Sequence, residues 1–455
     1  MKLVDVSSKQ LFISQLANAA LKKLSPSEGK KFTSFLEQFF IGVFVEEYEG
    51  RKLSDVVGGV VSLWKFFVHL APDESKVVII NPNLEEHGWQ SSHTVLAVLL
   101  KNMPFVVDSI RIALNDHHFK VHGIQHSILY SQRSSAGALE GFTHRDDVGS
   151  SAEALMLVEI DRHTDLAELR TLKASLESVL QDIAVTVQDY EPMLERCKAL
   201  AASLAAAANT EKDDLRRTEL KDSSEFLSWL GDNSFTFLGY SEYTLAGKGA
   251  TLALEQVDGS KLGIIKCYGD SGQKILLSSL PESARQKTLD SNMLIFAKSS
   301  RRSIVHRPAY PDYITIKQFN RSGEVVGECR FLGLFTARIF NQAPNTIPLL
   351  ATKVTQVLGL SEFDPRDHSG KELLQLLAIY PRDELFQVEA HELHRVVLRT
   401  LHCQERRKIC LFIRQDAFGR FLTALVYVPR EIYNTSLREK VQSLLLEQTL
   451  GLDIE

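Results

Sequence analysis

Apolar residues recur at intervals of three and four through LFISQLANAALKKL, FTSFLEQFFIGVFVEEY and LSDVVGGVVSLWKFFVHL, which predicts helices across residues 9 to 70, broken at Ser25-Pro26 and at Pro72. The pattern then changes. SHTVLAVLL (92 to 100) is a continuous apolar run of strand length, and MPFVVDSIRIALNDH (103 to 117) returns to helical period with Pro104 in the first turn. KVHGIQHSILYSQ (120 to 132) alternates as a strand, a polar loop intervenes, and EALMLVEIDR (153 to 162) supplies another strand. The helix DLAELRTLKASLESVLQDI follows, with Thr164 or Asp165 as its cap. The order β-α-β-β-α is that of a small ferredoxin-like sandwich.

Between 190 and 230 the chain is charged or alanine-rich, as in ALAASLAAAAN, and reads as a helical connector with little to bury. Strand-like runs then dominate: FTFLGYSEY, LALEQV, LGIIKCY, LIFAKSS, DYITIKQF and VVGECRFLGLFT, with RSGE (321 to 324) as a hairpin turn between the last two. IPLLATKVTQVLGL, KELLQLLAIY and HELHRVVLRTLH read as amphipathic helices. The closing portion has strands KICLFIRQ and FLTALVYVPR around the turn DAFGR, where Gly419 supplies the special dihedral, and then the helix SLREKVQSLLLEQTL. No strand follows that helix, which reads as an interrupted unit or a boundary at residue 455. The expected class is α+β with several domains.

Composition narrows the function. The 455 residues are 44% hydrophobic and 24% charged, with a formal net charge of -5. That balance creates no global basic field, so neither nucleic acid nor an anionic membrane is an expected partner. No apolar run reaches the roughly 18 residues that span a bilayer. The start, MKLVDVSSKQLF, lacks the apolar core of a signal peptide, so a cytoplasmic location is expected. The five cysteines (197, 267, 329, 403, 410) form no C-x-x-C pair and read as buried thiols in a reducing compartment.

Catalytic signatures are absent from the sequence. No G-x-G-x-x-G follows a strand, and SGKE (369 to 372) lacks the upstream glycine and the magnesium-binding hydroxyl of a P-loop, leaving Asp367 or Ser369 as a helix cap. HELH (391 to 394) lacks the H-E-x-x-H spacing of a zinc helix. In HHFKVHGIQH, His118, His122 and His126 would share one strand face, but steps of four residues span roughly 13 Å, too far for one metal. The densest set of reactive side chains is KSSRRSIVHRPAYPDYITIKQF (298 to 319), with five cationic residues, His306, Tyr310 and Tyr313. It has the residue types of an anion clamp, a proton shuttle or a single-strand nucleic-acid platform.

KNMPFVVDSIRIAL, SEFLSWLGDNSFTFLGYSEY, SSRRSIVHRPAYPDYITIKQF, GEVVGECRFLGLFT, HSGKELLQLLAIYPRDELFQ and LFIRQDAFGRFLTALVYVPREIYNT, in this order over about residues 90 to 440, resemble the amino-terminal region of the large bacterial NAD-specific glutamate dehydrogenases. The resemblance implies an enzyme that deaminates L-glutamate to 2-oxoglutarate and ammonium with NAD, its dinucleotide fold and catalytic lysine and aspartate lying downstream. This segment is then non-catalytic, and NAD belongs to the full-length enzyme. The implied organisation is a helical lead-in (1–72), an ACT-like domain (73–189), a helical connector (190–221), a PAS-like β-rich domain (222–342), a helical motif (343–405) and a second, possibly truncated ACT-like unit (406–455). ACT folds hold an amino acid where the first strand meets the first helix, here KNMPFVVD, which marks Asn102, Pro104, Phe105 and Asp108 as effector-binding candidates. The glycine usual at that corner is replaced by Met103-Pro104-Phe105, which favours an architectural or oligomer-forming corner. Arg301, Arg302, His306 and Arg307 are expected to dock another domain. The implied partners are a homo-oligomer, the downstream catalytic domain and an amino-acid effector; the alternative is a free-standing amino-acid sensor.

Overall fold

The computed structural model describes residues 4–5, 7–22, 24–269, 273–416 and 418–449, so Met1–Leu3 and Val6 of the amino-terminal stretch, Ala417 of DAFGR and residues 450–455 lie outside the described residues. The chain divides into two compact units, Met1–Gln188 with Arg302–Ala309, and Asp189–Arg301 with Tyr310–Glu455.

In the first unit the periodic runs form α1 (Lys9–Ala20), α2 (Pro26–Phe39) and α3 (Leu53–Phe67). Ser8 Oγ accepts from the Leu11 N–H, and Glu28 accepts from the Ser25 N–H, so side chains satisfy backbone donors at both starts. These helices are a layer of the adjoining sheet: Phe12, Phe35, Phe39, Trp64 and Phe67 share one core with Ala97, Leu99, Leu129 and Leu155.

That sheet comprises β1 (Lys76–Ile80), β2 (Thr94–Lys101), β3 (Val121–Arg133), β4 (Leu139–Phe142) and β5 (Ser151–Ile160), with α4 (Val106–Asp116) between β2 and β3 and α5 (Leu166–Gln188) after β5. The order is β1-β2-β5-β3-β4, and every neighbouring pair is antiparallel. Strands β2 and β3 therefore run parallel with β5 between them, the split arrangement of a β-α-β-β-α unit. β1, which has no counterpart in the sequence reading, flanks β2 from the amino-terminal side, and β4 forms a hairpin inside the supposed polar loop. Thr94 to Leu100 are all buried because both faces are covered. Ala97 and Leu99 meet the α1–α3 core, while the pleat turns Leu96, Val98 and Leu100 to the opposite face.

Several local expectations change. Helix α4 starts at Val106, so Pro104 precedes it rather than occupying its first turn. His118 lies before β3 at φ 60, and a register shift at Val121/Gly123 interrupts the alternation, so the three histidines do not line a strand face. Asp165 Oδ1 accepts from the Ala167 N–H at 2.7 Å and is the cap of α5.

The second unit begins with α6 (Tyr190–Thr210) and α7 (Asp214–Trp229). The alanine-rich stretch is no bare connector: Met193, Cys197, Ala201, Ala208, Leu220 and Phe226 lie in the unit's main core. Alanine allows close helix approach, which compensates for its small apolar area. An antiparallel sheet follows from β6 (Phe235–Ala246), β7 (Ala253–Gln256), β8 (Leu262–Gly263), β9 (Lys274–Leu276), then, after α8 (Glu282–Leu289), β10 (Leu294–Lys298), β11 (Asp312–Phe319) and β12 (Val325–Phe335). The order is β10-β11-β12-β6-β7-β9, with β8 beside β6, so the first long strand pairs with the last. Across the RSGE turn the Asn320 N–H donates to the Glu324 carbonyl at 2.9 Å, and the Glu324 N–H donates to Asn320 Oδ1 at 3.0 Å.

Helices α9 (Ala337–Asn341), α10 (Leu350–Ser361), α11 (His368–Ile379), α12 (Arg382–Gln387) and α13 (Ala390–Glu405) complete that core, followed by the β13 (Cys410–Gln415) and β14 (Leu422–Tyr427) hairpin and α14 (Thr435–Gln448). Gly370 of SGKE is needed for packing, since a Cβ there would lie 2.0 Å from the Asp364 carbonyl oxygen. The expectation of five buried thiols fails: Cys403 and Cys410 form a disulfide and Cys267 is exposed, leaving Cys197 and Cys329 as buried thiols. Among the described residues no helix is long and apolar enough to cross a membrane.

Candidate functional site

The corner KNMPFVVD is built where β2 gives way to α4. The Asn102 N–H donates to the Ala152 carbonyl at 2.8 Å, carrying the pairing one residue past the strand. Asn102 and Pro104 are exposed, and Phe105 turns the chain into the helix at φ 72, a conformation that bulky residues rarely adopt. Such strain persists only where the surroundings hold it.

What holds it is the segment Arg302–Ala309, which belongs to the same unit. The rings of Phe105 and His306 lie 4.9 Å apart. His306, itself at φ 73, donates its backbone N–H to Ser109 Oγ at 3.1 Å, and Ser109 is fully buried. Arg302 Nη1 stands 4.0 Å from Asp116 Oδ1, and its Nε donates to the Pro308 carbonyl at 3.3 Å. The segment is tied internally as well: the Ser303 N–H donates to the Ala309 carbonyl at 2.8 Å, and Ser303 Oγ to the Val305 carbonyl at 2.9 Å. Val305 is buried beneath this turn.

Burial pushes the His306 imidazole below its ordinary value; Arg307 adds to this and Asp108 opposes it. The ring is consequently neutral at neutral pH and suited to lying against Phe105 rather than to binding an anion. Two candidate groups that the sequence treats separately thus meet: the Phe105 ring lies beside His306 and the Asp108 charge acts on that imidazole, while Arg302 reaches Asp116 at the other end of α4. Arg301 does not join them. It belongs to the second unit, where its guanidinium lies over the Tyr268 ring at 4.5 Å.

The remaining cations of 298–319 are engaged in structure. Lys298 Nζ lies 3.0 Å from Asp312 and 2.7 Å from Asp383; burial alone would lower its pKa, but the two carboxylates hold it above the usual value. Lys317, whose side chain is 0% exposed, pairs with Asp290 and donates to its carbonyl at 2.9 Å. Tyr310 meets the ring of Phe421. Among the described residues no three His, Cys, Asp or Glu side chains are placed to hold a metal. Lys298, Arg301, Lys317 and Tyr310 of this stretch are thus paired with carboxylates or aromatic rings of the second unit.

Ser109 was missed by the sequence reading. Its signal was a hydroxyl on the apolar-periodic side of MPFVVDSIRIAL, where an unpaired polar group is costly and a partner is therefore expected.

Residues 35–176 match the glutamate dehydrogenase ACT1 domain, residues 347–406 the glutamate dehydrogenase helical motif 1, and residues 410–455 the glutamate dehydrogenase ACT2 domain. The chain is 38% identical over 457 aligned positions to an NAD-specific glutamate dehydrogenase of Pseudomonas aeruginosa, covering 100% of this chain and 28% of that protein. It is 37% identical over 438 positions to an NAD-specific glutamate dehydrogenase of Halomonas elongata, covering 96% of this chain and 27% of that protein. A relative of the same name from Mycobacterium tuberculosis is 27% identical over 362 positions, covering 79% of this chain and 21% of that protein. The chain thus spans little more than a quarter of the length of the first two relatives.

Proposed function

The chain belongs to the large NAD-specific glutamate dehydrogenases as their amino-terminal, ACT-containing region, and from that premise we propose that it sets subunit arrangement for a catalytic part of the same polypeptide. In this reading the whole protein is a cytoplasmic homo-oligomer that oxidises L-glutamate with NAD and water, yielding 2-oxoglutarate, ammonium and NADH. The region described here contributes neither the dinucleotide site nor the catalytic side chains.

The observation that carries the assembly reading is the closure of the ACT corner by the chain's own residues 302–309, through Phe105, Ser109 and Asp116. A corner engaged in this way is a docking surface first. Asn102, Pro104, Phe105 and Asp108 act as an effector site only if a ligand binds more tightly when 302–309 is displaced. The β-rich stretch 222–342 is read as a PAS-like module, supported by its one antiparallel sheet in which β6 and β12 pair.

The test is an assay of glutamate-dependent NADH formation by the purified 455-residue chain, with its mass in solution measured by light scattering. No turnover and a mass above that of one chain are expected. Turnover by this chain would overturn the non-catalytic reading, and a monomer would overturn the assembly reading.

A further inference from the structure

We propose that Cys403 and Cys410 form a reversible thiol–disulfide site, open to dithiol reductants and small-molecule disulfides, which sets how firmly the end of α13 holds the start of β13. The bond joins the last turn of α13 to the first residue of β13, with the two Cα atoms 6.6 Å apart. Cys403 lies in the stretch matching helical motif 1, and Cys410 opens the stretch matching ACT2. The bond therefore staples one module to the next.

Backbone contacts bring the two sulfurs together independently of the bond. Arg407 takes φ 51, the left-handed position that usually closes a helix with glycine. Its N–H donates to the Gln404 carbonyl at 3.1 Å, and the Lys408 N–H donates to the Cys403 carbonyl at 2.9 Å. These two hydrogen bonds end α13 and turn the chain back, so that residue 410 arrives beside residue 403. Beyond the turn the hairpin has its own anchors. Arg414 Nε donates to Glu384 Oε2 at 2.7 Å and its Nη2 to Oε1 at 2.8 Å, while Phe412 and Leu425 pack against the main core. The hairpin thus stays docked when the bond opens, and the sulfurs remain within reach of each other.

The surroundings suit exchange chemistry. Both cysteines are half-buried, whereas Cys197 and Cys329 are buried, and burial pushes their thiols up to about 12 and about 11. Those two are inert by comparison. Arg406, Arg407 and Lys408 lie exposed between the paired cysteines and favour the thiolate that exchange requires. In a cytoplasm, a disulfide is characteristically catalytic or redox-sensing rather than structural. That last step rests on the cytoplasmic location proposed above; the placement of the two sulfurs does not.

Reduction proceeds by two exchanges. A thiolate of the dithiol attacks one sulfur, the S–S bond breaks, and the other cysteine leaves as a thiolate and takes a proton. The second thiol of the reductant then attacks the mixed disulfide, releasing the remaining cysteine. Two electrons pass to the protein, and the reductant ends as its own disulfide. A small-molecule disulfide runs the same steps in reverse.

The test is alkylation of the native 455-residue chain, read by mass spectrometry before and after dithiothreitol at millimolar concentration. Rapid labelling of the exposed Cys267 alone is expected before reduction, joined by Cys403 and Cys410 after it. Oxidised dithiothreitol in excess should restore the first pattern. Hydrogen exchange in residues 404–412 should be at least about threefold faster in the reduced chain, with the rest of the second unit unchanged. The variant C403S/C410S should exchange like the reduced wild type under both conditions. The proposal is overturned if all three cysteines label before reduction, if the bond opens only in urea, if exchange in 404–412 is the same in both states, or if reduction unfolds the whole unit. None of these readouts depends on subunit number, so failure here is distinguishable from failure of the assembly reading.

Discussion

The backbone N–H of His306 donates to Ser109 Oγ at 3.1 Å, joining residues 197 positions apart in the chain. The contact sits at the start of α4, beside the tilted ring pair of Phe105 and His306, and it converts a strained strand-to-helix corner into a latch for the segment 302–309. Removing the acceptor should therefore matter. Ser109→Ala is expected to destabilise the first unit by about 1–2 kcal/mol, the usual cost of leaving a partly buried donor unpaired. Urea unfolding checks the magnitude, and faster hydrogen exchange in residues 303–307 checks the location.

The same latch should respond to pH. Because the folded-state pKa of His306 is depressed, mainly by burial, the unfolded chain binds the proton more readily. The contribution of this residue is complete above the ordinary imidazole value of 6.5 and declines as pH falls through 6.5 towards the lower folded value. His126 is also lowered by burial, so the slope is not due to His306 alone. His306→Asn, which keeps a residue tolerant of positive φ, should give a shallower loss of stability between about pH 7 and pH 5 than wild type. Equal slopes would remove His306 from the account.

Lys298 tests whether 298–319 is structural. Its ammonium joins Asp312 and Asp383, and Lys298→Met withdraws the positive charge from a buried carboxylate while retaining the stem's length. A loss of about 3 kcal/mol is expected. Adding Asp383→Asn to that variant should cost less than the sum of the two single changes, because the pair shares one interaction.

Gly370→Ala separates packing from phosphate binding at SGKE. The new Cβ meets the Asp364 carbonyl at 2.0 Å, so α11 must shift, with an expected cost of about 1–3 kcal/mol. ATP should not raise the thermal midpoint of either the wild-type chain or the variant; a clear rise in wild type would revive the nucleotide reading.

The long amphipathic helices and the β-α-β-β-α succession were legible because their apolar periods are strong and their breaks carry proline, serine or aspartate. β1 was not, since KVVII is short and lies in a stretch rich in turn residues, and only its place beside β2 makes it a strand. The alanine-rich α6 misled because propensity says nothing about the partner that buries Cys197, whose thiol is pushed up to about 12 by that burial. At the site, the residue types in 298–319 were visible but their partners were not, because Asp383, Ser109 and Tyr268 lie far away in sequence.

The most direct measurement compares the enzyme carrying this chain with the same enzyme lacking residues 1–455, by light scattering for subunit number and by steady-state rates for glutamate oxidation. The assembly account predicts that the shortened enzyme retains the chemistry of glutamate oxidation but changes its subunit number or its dependence on substrate concentration. Identical subunit number together with identical rate parameters would contradict it.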